Sequence, residues 1–559
     1  MSNYELERRR CQLAAVSVAA VVLFVGVPLW WRTTTTYRAW LPMAQIQEFS
    51  KLQLLLDVDV EVVFARGTLT PEQQKKIPVT QTRDEQHSVD GGTSLTYRYE
   101  TRYRTATIME EDSLNQPTAA ETDLSLNTLS ESPCGSLVVY VIPESSSLLP
   151  QDVDVYVGQR RTALVRADAE TKAGKTLKQV LAGVEPRVKE VLRVMSFSHG
   201  DIMAVLSNRV RPGSGSLPKK DDSIRSFKSS PGYEITFSLL NPDPKSHRLY
   251  WDIEGAVHTF VQPLLSKLSP LANFSVDSQT LYYTMLGFNA RFDDHHSAYT
   301  LSADSLAHVI NPAESRLGSN AASSNPPLNF LLYMPDAQHS PLHILDPQKR
   351  LVASNAFHSP RWGGIMIYNV NRANGTLPVD VHINMAKVMG VFLAQLRLLL
   401  GVKPTARTAG ILVAPPGYSG LSDWELDRLM WSHSVENIAT ATTTITSLVQ
   451  LLDQIDTIVI NDNIAEQVSN AVASLQLATA ELESGNLAFA LQYSKEAILA
   501  SERAFFDPSL LHLLYFPSDQ KFAIYIPLFL PMGVPLLLSL LKIVAEVRQR
   551  RKDKLAKKD

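Results

Sequence analysis

The chain has 559 residues, with 53 Lys and Arg against 56 Asp and Glu and a formal net charge of −3. That near-neutral balance excludes recognition of nucleic acid or a polyanionic substrate by bulk charge. Two cysteines, Cys11 and Cys134, exclude an internal disulfide framework, and the length suits roughly two to four domains of ~100–200 residues.

In chain order, Arg8, Arg9 and Arg10 close a short polar start at residues 1–11. An apolar run over 12–31 follows and ends on Trp30 and Trp31, with Arg32 beyond. A signal peptide is the competing reading, but the run exceeds the usual ~7–15 residues of an h-region and no small-residue cleavage site follows. The pattern predicts an uncleaved signal anchor, with Arg8–Arg10 in the cytosol and Arg32 in the secretory lumen.

Residues 32–421 predict a lumenal α/β region. Val58, Val60, Val62 and Phe64 alternate with Asp57, Asp59 and Glu61, which predicts a half-buried strand over 54–64. The stretch 109–136 is rich in Asp, Glu, Ser and Thr and reads as a mobile acidic loop. The apolar run 137–142, closed by Pro143, reads as an interior strand. Helical spacing over 177–195 predicts a helix despite Gly183 and Pro186.

Gly, Ser, Pro and mixed charge over 212–232 predict a linker. Strands are expected at 233–240, 281–286, 328–334, 365–370 and 380–383, and helices at 251–268 and through 395–400. Together they predict a mixed sheet covered by helices, with the strand order open.

From Ser422 the texture becomes helical. Ser422 and Glu425 fit a capping box, and Val435, Ile438, Ile445, Leu448, Leu452, Ile455 and Val459 follow 3–4 spacing. A second helix carries Ile464, Val468, Val472, Leu475 and Leu482; Gly485 stops it, and a third follows Asn486. Residues 422–521 thus predict a membrane-proximal helical hairpin or bundle.

Residues 522–541 contain twenty residues without a charge, about the ~20 that cross a bilayer as a helix. Arg548, Arg550, Arg551, Lys552, Lys554, Lys557 and Lys558 place the tail at 542–559 in the cytosol. Pro527, Pro531 and Pro535 stand four apart on one face. Each frees a carbonyl that needs a neighbour in lipid, so the register predicts packing against other membrane helices rather than a lone kinked anchor.

Chemistry is sparse. The chain has no G-x-G-x-x-G, Walker loop, C-x-x-C or H-E-x-x-H motif. Asp293-Asp-His-His296 gathers metal-ligand types, but adjacent residues on a regular element cannot converge on one ion, so a polar loop is expected. His199-Gly200 resembles the His-Gly of legumain-like cysteine proteases, yet both cysteines precede it, and no nucleophile stands where its base would reach. His358, Arg361 and Trp362 read as either a contact loop or a structural one. Cys134 is a lumenal thiol, free or bridging to another chain. Asn273-Phe-Ser and Asn374-Gly-Thr are sequons on the lumenal side.

Long blocks of this chain resemble the PIG-S family, the class S subunit of glycosylphosphatidylinositol (GPI) transamidase. They are Pro28-Leu-Trp-Trp-Arg-Thr-Thr34, Ser147-Leu-Leu-Pro-Gln-Asp152, Gly232 through His247, and Tyr250-Trp-Asp-Ile-Glu-Gly-Ala256. Ala356 through Gly364, Ser434-Val-Glu-Asn437, Ser501-Glu-Arg-Ala-Phe-Phe-Asp-Pro508 and Tyr515-Phe-Pro517 continue the series.

The resemblance implies an endoplasmic-reticulum membrane protein without catalytic residues, cofactor or metal. It acts in a complex that cleaves a proprotein's C-terminal signal and joins the new carboxyl end to a GPI lipid. Its implied partners are PIG-K, PIG-T, PIG-U and the GPI anchor attachment protein, with catalysis in PIG-K and contact with proprotein or GPI open. The rival readings are a self-contained lumenal hydrolase, which needs titratable groups converging in one pocket, and a membrane-tethered chaperone or receptor, which needs other partners.

Overall fold

The computed structural model describes residues 3–34, 37–49, 53–77, 79–89, 93–129, 132–167, 176–196, 230–287, 290–302, 310, 317, 325–359, 362–370, 378–402, 408–454, 458–511 and 518–555. The chain divides into two compact units. One holds residues 1–48, 441–472 and 499–559; the other, much larger, holds 49–440 and 473–498.

In the larger unit, the alternation read at 54–64 is a strand, β1 (Gln53–Phe64), with Leu56, Val58, Val60 and Val62 buried. Its partners are β3 (Thr93–Thr105) and β4 (Leu137–Ile142), both parallel to it. β4 is buried at every position, as a central parallel strand with two covered faces must be. A seven-stranded sheet results, in the order β17-β5-β6-β4-β1-β3-β2, where β2 is Val79–Val89, β5 Val155–Val157, β6 Thr162–Arg166 and β17 Ile411–Val413. Helix Leu177–Met195 packs on β4, β5 and β6 through a face that includes Val180, Val184, Val188 and Val191. Pro186 lies inside that helix without ending it.

The segment expected as an acidic loop is corrected by the structure. It folds into two helices, Ile108–Leu114 and Ala119–Leu129, whose Leu114, Ala119 and Leu126 join Val138, Tyr140 and Ile142 in one apolar cluster. The acidic residues were misleading because some are buried and satisfied. Glu110 accepts from both Arg104 Nη atoms at 2.7 Å, from the Thr107 N–H at 2.8 Å and from Tyr140 Oη at 3.0 Å. Asp123 accepts from the Gln159 N–H at 2.9 Å and from the Thr162 hydroxyl.

A second sheet replaces the single expected one. Its order is β14-β15-β12-β7-β9, with β7 Gly232–Asn241, β9 Asn273–Tyr282, β12 Pro327–Tyr333, β14 Ala356–Ser359 and β15 Gly363–Ile367. All neighbours are parallel except β14. The strand expected at 281–286 ends instead at Tyr282, because Tyr283 turns the backbone to φ 57°. Phe237 and Phe330 stack at 5.5 Å, and Phe392 of helix Met385–Leu399 closes on both. The opposite face carries Leu331, Tyr333, Ile365 and Trp362.

That face joins residues of a small sheet, β10 (Arg291–Asp293), β11 (Ala298–Leu301) and β13 (Leu342–Ile344). β8 (His247–Tyr250) and β16 (Val379–His382) pair separately. Gly363 sits at φ 147°, and a Cβ there would meet the Asn329 carbonyl oxygen at 1.8 Å, so no other residue fits between β12 and β15.

The helical region contains Asp423–Gln454, Asp462–Glu483 and Leu487–Phe505. Of the expected stripe, Val435, Ile438, Ile445, Leu448 and Leu452 are buried; the helix ends at Gln454, so Val459 falls beyond it and Ile455 lies outside the described residues. Gly485 ends the second helix at φ 74°. The linker at 212–229 lies outside the described residues.

Candidate functional site: the apolar terminal helices and the clamp on helix Asp423–Gln454

The smaller unit gathers both ends of the chain. Asn3–Val21, the π-turn Val22–Gly26 and Val27–Thr34 run on as one helical stretch. Within it, Arg10–Arg32 is apolar and almost wholly exposed, and its 23 residues span about 35 Å at ~1.5 Å per residue, enough to cross a ~30 Å hydrocarbon layer.

Near the other terminus lies one helix, Ser518–Leu555, which keeps Pro527, Pro531 and Pro535 inside it. The parts Tyr525–Pro531 and Gly533–Gln549 meet at 41°. Prolines cause such bends by removing an N–H and crowding the preceding turn.

The two stretches run antiparallel, joined at each end. Gln12 Nε2 donates to Glu546 Oε2 at 2.7 Å, and Trp30 meets Tyr525 edge to face at 6.2 Å. The joints are separated by about 27–32 Å along either helix, counted at ~1.5 Å per residue, close to the hydrocarbon thickness. Tyr525, Leu536, Leu540 and Ile543 are half-buried, whereas Pro527, Pro531 and Pro535 are all exposed. The first helix therefore uses one face of the second, and the proline face is left open.

In the larger unit, the start of helix Asp423–Gln454 is held from several sides. The Ser422 N–H donates to Glu425 Oε2 at 2.8 Å, the reciprocal half of a capping box. Acidic residues at this end also complement the helix dipole. Three of them meet distant cations: Lys267 with Asp423 at 2.6 Å, Arg397 with Glu425 at 2.8 Å, and Arg161 with Asp427 at 2.6 Å. Trp424 Nε1 donates to the Gly158 carbonyl at 3.1 Å.

Asp427 is 2 % exposed and Arg161 14 %, so this pair is desolvated. Burial works against the Arg161 charge, but Asp427 outweighs it and raises the guanidinium pKa. The clamp ties the seven-stranded sheet, helix Gln262–Leu268 and helix Met385–Leu399 to one helix end. Sequence reasoning found its capping box and missed its cations.

The remaining candidates disperse. His296 Nδ1 lies 2.8 Å from Asp293, whose carboxyl this contact and the His295 N–H hold low. Among the described residues, no three His, Cys, Asp or Glu side chains converge as metal ligands. Cys134 is free and its surface is exposed, but its sulfur is partly desolvated beside Arg161, 3.4 Å from Nη2; that partial desolvation raises the thiol pKa against the guanidinium's pull. Trp362 is buried in the second sheet's cluster, and His358 is half-buried in β14. Asn273 begins β9 with an exposed side chain. His199, Arg361 and Asn374 lie outside the described residues.

Comparison with known proteins places this architecture. Residues 17–550 match the family model described as phosphatidylinositol-glycan biosynthesis class S protein. The chain belongs to the PIG-S family. It is 52% identical over 547 residues to the Homo sapiens GPI-anchor transamidase component PIGS, covering 97% of either chain. The Bos taurus protein of the same name is 52% identical over 548 residues, covering 98% of this chain and 97% of its own. A Schizosaccharomyces pombe GPI transamidase component PIG-S homolog is 30% identical over 351 residues, 63% of this chain and 60% of its own.

Proposed function

We propose that this PIG-S chain is a non-catalytic subunit of the endoplasmic-reticulum GPI transamidase. It supports cleavage of the proprotein signal and transfer of the new carboxyl end to the GPI lipid. The observation that carries this reading is end-to-end similarity to relatives named as transamidase components. Its partners are PIG-K, PIG-T, PIG-U and the GPI anchor attachment protein, and PIG-K supplies the nucleophile.

The smaller unit supports the membrane part of this reading. Residues 12–31 and 522–541 form two antiparallel spans, with Arg10 and Lys542 exposed next to the Gln12–Glu546 joint. Basic residues at one shared end favour the cytosol for both termini and the lumen for what lies between. Pro527, Pro531 and Pro535 pack against a span of another subunit, because the chain's own first helix leaves them exposed. Asn273 and Asn374 are lumenal glycan acceptors in this topology.

The test is turnover of a GPI lipid and a proprotein substrate by purified full-length chain, alone and within the reconstituted complex. Product is expected only from the complex, and complex lacking this chain is expected to lose activity. Turnover by the isolated chain would move the reading to a hydrolase.

A further inference from the structure

Where the first helical stretch ends, the chain does not trail off. Tyr37 lies five residues beyond Arg32, a reach of at most ~17 Å even fully extended. Tyr37 Oη donates to Asp462 Oδ1 at 2.6 Å, and Arg38 Nη2 donates to the Leu452 carbonyl at 2.7 Å. The Ala39 N–H donates to the Ile460 carbonyl and the Ile460 N–H to the Tyr37 carbonyl, each at 3.0 Å. The next residue of the same helix start, Asn463, donates to Asp507 Oδ2 at 3.2 Å. Two stretches near the membrane helices, 37–40 and 505–507, are thus fixed to the start of helix Asp462–Glu483.

On this frame stand large side chains turned to solvent. Trp40 is 78 % exposed, Phe506 69 % and Tyr37 58 %. Phe505 meets Phe506 edge to face at 5.1 Å. Exposed rings carried on a frame next to a membrane span read as a contact surface. Trp and Tyr, with an apolar body and a polar tip, instead suit the headgroup layer.

We infer that Tyr37, Trp40 and Phe506 form a collar seated in the lumenal headgroup layer of the bilayer that the first helix crosses. The occupant is lipid because the collar is continuous with that span and within a few residues' reach of its exit. This rests on the proposed reading of residues 12–31 as a span. The collar adds a second level of attachment, fixing helix Asp462–Glu483 at the membrane surface as well as through the spans.

The test uses the full chain in phosphatidylcholine nanodiscs, with Cys11 and Cys134 replaced by Ser. A single environment-sensitive fluorophore is placed by Leu23→Cys, Trp40→Cys or Phe506→Cys, all at exposed positions. Quenching is read with phospholipids spin-labelled high or deep on the acyl chain, and with aqueous iodide. The Leu23 label should be quenched by the deep spin label. Labels at 40 and 506 should emit to the blue, lose intensity to the shallow label and resist iodide.

If Leu23 is quenched while 40 and 506 respond to iodide alone, the collar is wrong and the span stands. Resistance of 40 and 506 to both quenchers would mean a protein cover and would also overturn the collar. An unquenched Leu23 label would overturn the span and the collar with it.

Discussion

At the scale of the residue, buried charges decide what the larger unit tolerates. Asp427 is almost fully desolvated and depends on Arg161. Removing one partner of such a pair costs about 3–5 kcal/mol, because the other charge stays buried without compensation. Arg161→Ala should therefore lower the thermal unfolding midpoint of the purified chain markedly. The double replacement Arg161→Met with Asp427→Leu should recover much of the loss. Equal losses for the single and double variants would contradict the role given to the pair.

Glu110 yields a pH prediction. Burial alone would raise its carboxyl, but Arg104 and the Thr107 N–H and hydroxyl outweigh it, bringing it from 4.5 to about 2. A depressed folded pKa stabilises above the unfolded value, and that stability is lost as pH falls from about 4.5 towards 2. Glu110→Gln should be less stable at neutral pH, and its unfolding should vary less across that acid window. An unchanged acid limb would show that Glu110 is not ionised in the folded chain.

At the scale of the element, legibility followed the kind of signal. Helices Leu177–Met195 and Asp423–Gln454 could be read because apolar residues carry their periodicity, and strand β4 because its apolar run is unbroken. Helices Ile108–Leu114 and Ala119–Leu129 could not, because the buried Glu110 and Asp123 find partners outside their own helices, in Arg104, Tyr140, Gln159 and Thr162. The clamp was half legible for the same reason. Ser422 and Glu425 are local, whereas Asp427 and Arg161 stand 266 positions apart. Strand order was hidden likewise, since β17 finds β5 across the length of the larger unit.

The last helix carries its own prediction. Pro527, Pro531 and Pro535 are exposed on a helix bent by 41°. Replacing all three with Leu restores the missing N–H groups and should straighten the helix while keeping its apolar length. The variant should still insert in membranes but recover fewer partner subunits in mild detergent. Full recovery of partners and activity would show that the proline face is not a packing face.

At the scale of the whole molecule, the two ends of the chain meet in one unit and the sheets occupy the other. The long apolar helices at the two ends were legible because apolar length is a one-dimensional signal. The division of the larger unit into two main sheets was not, because each is assembled from parallel pairings between distant strands. The buried charges described in the larger unit are engaged in internal clamps.

The most direct measurement is affinity purification of the tagged full-length chain from membranes in mild detergent, with its partners identified and their stoichiometry measured. PIG-K, PIG-T, PIG-U and the GPI anchor attachment protein are expected in equal amounts, with transamidase activity in the same fraction. Recovery of the chain alone, or with unrelated partners and no activity, would contradict the proposed role.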